Sequence, residues 1–134
     1  MAQYLIAYII AAVIFGILDA IWLSNAAEKL YRPIIGDLMA DQFRLAPALV
    51  FYALYLAGIM WFALRPALQD GQWTTALLNG ALLGFFCYAT YDLTNQAVMK
   101  VWTTKLSVID IIWGTFATGT TAALTAFLVL RFVR

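Results

Sequence analysis

Four stretches of this sequence are each apolar enough, and long enough, to cross the ~30 Å hydrocarbon layer of a bilayer as a helix. They run from about Tyr4 to Leu23, Ala46 to Leu64, Thr75 to Val98 and Leu106 to Leu130. In lipid no water is on hand for backbone N–H and C=O groups, so each stretch must satisfy its own by coiling. The rest of the chain cannot override this. With 65% hydrophobic and 11% charged residues, it holds too little polar side chain to coat a water-facing surface. The fold expected is all-α: a polytopic membrane protein, an antiparallel bundle of four transmembrane helices forming a single domain over residues 1–134.

The first run is read as a retained span rather than a cleaved signal peptide. It lacks a basic leading region, it is too long, and it contains Asp19. The one long connection, Asn25 to Arg44, mixes charged residues with large apolar ones and suits the headgroup region; Pro33 and Gly36 are expected to break it. Pro47 fits the first turn of the second span, and Arg65-Pro66 is expected to close that span. Asp70-Gly71 marks a short turn followed by Trp73 as an interfacial anchor, and Lys100 to Lys105 makes the last turn, with Trp102 inside it.

Composition excludes several functions. A net charge of +1 offers no basic patch for nucleic acid. Cys87 is the one cysteine, so no disulfide can form within the chain. The chain has no histidine, which removes histidine-based metal sites, Ser-His-Asp chemistry and the usual proton shuttle. No metal and no cofactor is expected; the partners expected are membrane lipids and a small hydrophobic or cationic ligand.

Within the third span, Gly84, Tyr88, Tyr91, Asp92 and Asn95 fall on one helical face, a polar stripe on a greasy helix. The up-down topology extends this. If both termini lie on side A of the membrane, Asp19 ends the first span toward side B, Asp92 ends the third toward B, and Asp110 starts the fourth from B. Three carboxyls from three helices thus share one depth and are expected to converge on one pocket with Tyr91 and Asn95, while the other four acidic residues sit in connections. Asp110 also suits simple capping in a first helical turn, whereas Asp19 near a helix C-terminus is at the wrong end of the dipole for an anion. Buried acids facing a bundle interior are functional candidates. At least one of the three is expected to be protonated near neutral pH unless Arg44 or Lys100 pairs with it.

The lining expected around them is aromatic. Asp19-Ala20-Ile21-Trp22 and Asp110-Ile111-Ile112-Trp113 each place a tryptophan one turn from an acid. Tyr52, Tyr55, Tyr88 and Tyr91 reach the same level, with Asn95 beside Asp92. Gly114, Thr118, Thr121 and Thr125 form a small-residue packing stripe, and Gly80 with Gly84 makes a close-approach pair through which a homodimer is expected.

These residues bear a family likeness. Asp19-x-x-Trp22-Leu23, Phe51-Tyr52, Gly80 with Gly84, Tyr88-x-x-Tyr91-Asp92-Leu93-Thr94-Asn95, Trp102 and Asp110-x-x-Trp113-Gly114 resemble domain-of-unknown-function family twenty-one seventy-seven over nearly the whole chain. The resemblance implies a small four-helix protein of the bacterial inner membrane and implies no activity. Lysine and arginine around the first span lie toward B, which leans both termini outside the cytoplasm.

Three functions fit these residues. The first is binding or transport of protons or a small cationic, amphiphilic ligand, with tryptophan and tyrosine faces for the charge. The second is an intramembrane enzyme acting on a lipid or isoprenoid by aspartate acid–base chemistry. The third is an accessory subunit that docks its polar face on a larger membrane complex.

Overall fold

Each apolar run coils as expected, and the computed structural model, which describes residues 1–133, is built of four long helices and short links. Helix α1 spans Ala2–Leu38 and α2 spans Leu45–Asp70. Helix α3 spans Trp73–Val98 and α4 spans Thr104–Phe132. On length and composition α1, α2 and α4 can each cross a membrane. Helix α3 matches them in length with 26 residues; Asn79, Asp92, Asn95 and Gln96 make it the least apolar. Tyr4 near one terminus and Leu130 and Val133 near the other pack on one apolar cluster, so both ends lie on side A of an antiparallel bundle. Arg134, counted toward the charge balance of that side, lies outside the described residues.

The tightest seam joins α3 to α4. A Cβ on Gly80 would fall 2.7 Å from the Ala122 side chain, and one on Gly84 would fall 2.8 Å from Thr118. Backbones this close gain dispersion contact that lipid tails cannot supply, which is what drives helices together inside a bilayer. The Gly80/Gly84 face, expected to serve a second copy, is therefore occupied within the chain. Thr118, Thr121 and Thr125 of the small-residue stripe are buried in the interior. At Gly114 the ring of Tyr88 fills the space a side chain would take.

Both prolines expected to end a helix are carried through instead. Ahead of each lies one wide turn, Ala27–Tyr31 before Pro33 and Met60–Leu64 before Pro66. The residue preceding each proline donates five residues back, Arg32 N–H to Ala27 O and Arg65 N–H to Met60 O. A proline cannot donate to the carbonyl four residues before it and clashes with it. The wide turn moves that carbonyl aside and places the proline at the start of a fresh helical segment. For Pro66 the orphaned carbonyl is that of Phe62, and the Asn79 side chain of α3 donates to it at 3.0 Å. Helix α2 then runs on to Asp70 and stops at Gly71, whose φ of 76° suits glycine.

The connection expected in the headgroup region continues α1 and folds over the B end of the bundle. Ala26 and Leu30 pack with the buried Trp102 and Leu106. The Trp102 indole N–H donates to Ser107 Oγ at 3.1 Å, and Ser107 Oγ donates to Gln96 Oε1 at 2.8 Å, tying the α3–α4 hairpin shut. Thr103 caps α4 by accepting from Leu106 N–H at 3.2 Å. The cap reading of Asp110 therefore gives way to an interior one: Asp110 lies past the first turn and is buried.

Candidate functional site

The two halves of α2 pack differently. The half before Met60 leans on α1, whereas Met60–Asp70 packs along α3. Toward side B this leaves a cavity of about 420 Å³ between the helices. Its walls carry Asp19 and Trp22 from α1, Tyr52 and Tyr55 from α2, Tyr88 and Tyr91 from α3, and Asp110 from α4. The rim is open: Phe51 is 47% exposed and Tyr91 55%, and Cys87 beside them is exposed too. The mouth therefore faces sideways between α2 and α3.

Each wall acid is held by a phenol from another part of the chain. Tyr52 donates to Asp19 Oδ2, and Tyr31 donates to Asp110 Oδ1. The Trp22 indole N–H donates in turn to the Tyr31 hydroxyl at 3.2 Å. One oxygen of each carboxyl is thereby occupied, and each side chain is locked in direction. Trp22 and Trp113 stack at 4.7 Å with planes 5° apart, so the two Asp-x-Ile-Trp segments meet ring on ring from antiparallel helices. Tyr55 shares a hydrogen bond with Thr118 at 2.7 Å and meets Tyr88 edge-on at 6.4 Å.

Of the residues expected at the site, Asp19, Asp110, Trp22, Tyr52, Tyr55, Tyr88 and Tyr91 share the cavity. Asp92, Asn95 and Trp113 do not line it. Trp113 backs the wall through its stack on Trp22, and Asn95 is half-buried one turn beyond Asp92. Asp92 sits behind the wall in the α3–α4 seam, wholly buried, because the helical face centred on it is the one that packs against α4. The three acids thus share a depth without sharing one cavity.

Tyr31, Phe51, Leu23 and Cys87 also line the cavity, outside the set expected from the sequence. Tyr31 had a legible signal in hindsight, since Pro33 two residues on calls for a wide turn that redirects its side chain inward. Neither Arg44 nor Lys100 pairs with an acid. Among the described residues the ion pair formed is Arg32 with Glu28, at 3.0 Å on the exposed surface. Nor do three or more acidic or cysteine side chains gather as a metal-binding group among the described residues. The cavity is an aromatic chamber with two fixed carboxyls and no cation of its own. Chemically it can hold protons, or a positive charge flanked by π faces.

Residues 4–127 match the family described as "Predicted membrane protein (DUF2177)". The chain belongs to this family. No curated protein and no solved structure matches the chain. The DUF2177 assignment makes the molecule a membrane protein and leaves its chemistry to be argued from the cavity. Residues 4–127 include every wall residue of that cavity.

Proposed function

We propose that this DUF2177 protein binds a small amphiphile with a cationic headgroup, drawn sideways from the side-B leaflet. One observation carries this reading: two carboxyls, Asp19 and Asp110, stand on the walls of an aromatic cavity of about 420 Å³ that has no positive side chain and opens toward lipid. That volume is within the ~300–1,000 Å³ usual for small-molecule sites. A cation would lie between the carboxyls, its hydrocarbon part leaving through the gap beside Phe51 and Tyr91. The cavity occupies one half of the membrane, which favours binding over passage from side to side.

Trp22 and Trp113 provide the assay, because a ligand entering beside their stack changes indole fluorescence. Dodecyltrimethylammonium should quench it at concentrations where dodecyl sulfate and dodecylmaltoside do not. Asp19→Asn and Asp110→Asn should each weaken cation binding about tenfold, equivalent to ~1.4 kcal/mol. Equal response to all three amphiphiles, or a preference for the anion, overturns the reading.

The seam register, which sets Asp92 opposite Asp110 across α3 and α4, favours one second reading, acid–base chemistry on a lipid or isoprenoid. Turnover of such a lipid by the purified protein, lost in Asp110→Asn, would move the function there. For the membrane itself we propose the bacterial inner membrane, both termini outside the cytoplasm. A C-terminal reporter that is active only in the cytoplasm should then stay silent, and a signal from it reverses the orientation.

A further inference from the structure

Asp92 is the one acid of the bundle interior that the cavity does not use. Its exposure is zero, and neither carboxyl oxygen has a hydrogen-bond donor. An ionised carboxylate in that position would lose its hydration with nothing in return. Across the seam Gly80 meets Ala122, Gly84 meets Thr118 and Tyr88 meets Gly114, and the next step of that antiparallel register sets Asp92 opposite Asp110. Two ionised carboxylates repel, and a carboxyl can donate to another only if one of the two carries a proton.

The other groups facing this pair do not change the balance. From α4 come Asp110 itself and Ser107, whose hydroxyl is turned to Gln96 and to the Asp92 backbone carbonyl. From α1 come Tyr31, already donating to Asp110, and beyond it Asp19. From α3 come Tyr88 and Tyr91, and from α2 Tyr52 and Tyr55, which share the cavity wall with Asp110. None is a lysine or an arginine.

We propose that Asp92 and Asp110 form a single proton-binding site across the α3–α4 seam, and that its proton leaves when a cation enters the cavity. The pair holds one proton between two carboxyls, with one net negative charge. When a cationic headgroup settles against Asp110, its positive charge stabilises the second carboxylate and the shared proton departs to solvent as H⁺. One positive charge is exchanged for another, so the total charge of the site is unchanged. The proton site itself does not depend on the ligand reading; the exchange rests on it.

Infrared difference spectroscopy with aspartate carboxyls isotopically labelled tests the pair directly. The wild-type protein in detergent should show the carbonyl stretch of a protonated carboxylic acid at neutral pH and lose it at alkaline pH. Asp92→Asn should abolish the band, and Asp19→Asn should leave it. Should Asp92→Asn fail to fold, Asp110→Asn serves: with the neighbouring charge gone, the Asp92 band should vanish at lower pH than in the wild type. A wild-type spectrum with no protonated carboxyl at neutral pH overturns the proton site. For the exchange, dodecyltrimethylammonium is added in weak buffer with an indicator dye, and about one proton should appear per ligand bound. Binding without proton release overturns the exchange alone. Absence of binding, with the infrared band present, overturns the ligand reading and the exchange and leaves the proton site standing.

Discussion

Removing the hydroxyl of Tyr52 separates what that residue does for Asp19 from what its ring does for the wall. The phenol is the donor that fixes the direction of the Asp19 carboxyl. In Tyr52→Phe a cationic amphiphile should therefore bind about fivefold more weakly, the usual worth of one hydrogen bond at ~1 kcal/mol. The ring, edge-on to Phe15 at 6.1 Å, keeps its packing, so the melting temperature in detergent should hold. A fluorescence titration with dodecyltrimethylammonium reads the loss, and an unchanged affinity would show that the phenol does not position the acid. Tyr31→Phe should likewise free the Asp110 carboxyl to turn. At this scale the sequence was generous for residues that chemistry makes conspicuous: acids and tryptophans stand out in an apolar run, and their helical phase brought most of them to one chamber. It was silent where backbone geometry decides. Tyr31 reaches Asp110 because of a wide turn, and Asp92 turns away from the cavity because glycines in α3 choose which face meets α4.

Asn79 and Pro66 make an element-scale pair whose coupling can be measured. The Asn79 amide serves the Phe62 carbonyl that Pro66 leaves without a donor. Asn79→Leu should cost about 1–3 kcal/mol, the usual penalty for leaving a polar group with neither a partner nor water. In a Pro66→Ala background the new N–H can serve Phe62, and the same Asn79→Leu change should cost much less. Melting temperatures of the four proteins give the coupling, and additive effects would mean that the amide bond is incidental. The α3–α4 seam is a harsher test. Gly84→Leu pushes a branched side chain against Thr118 and the Gly114 backbone, where overpacking costs ~1–3 kcal/mol or more. The melting temperature should drop sharply, whereas Gly58→Leu, with open space beside it, should be neutral. Span positions were legible from the apolar runs because lipid admits few alternatives. Helix ends were not, because proline was expected to stop a helix that widens by one residue and continues.

For the whole molecule, the sideways opening predicts how the single cysteine behaves. Cys87 is exposed and sits on the cavity wall facing the gap. A charged, membrane-impermeant maleimide should label it slowly, because the thiolate that reacts needs water around it, and a bound cationic amphiphile should slow the reaction further. Fast labelling by the charged reagent would mean that the mouth opens to water. The antiparallel bundle followed from chain order alone; the gap did not, since it arises from α2 leaning on α1 before Met60 and on α3 after it. That division has a genetic consequence. The wide turn at Met60–Leu64 holds one residue more than a regular helix needs. Deleting any one of those residues restores ordinary coiling and leaves Leu45–Ile59 close to its present phase, because the wide turn has already absorbed the extra residue. Tyr52 and Tyr55 would then keep their places in the cavity. A one-residue deletion between Tyr55 and Met60, in regular helix, would rotate both tyrosines by roughly 100° about the axis and swing them out together, so in a deletion scan of α2 tolerance should peak in the middle of the helix.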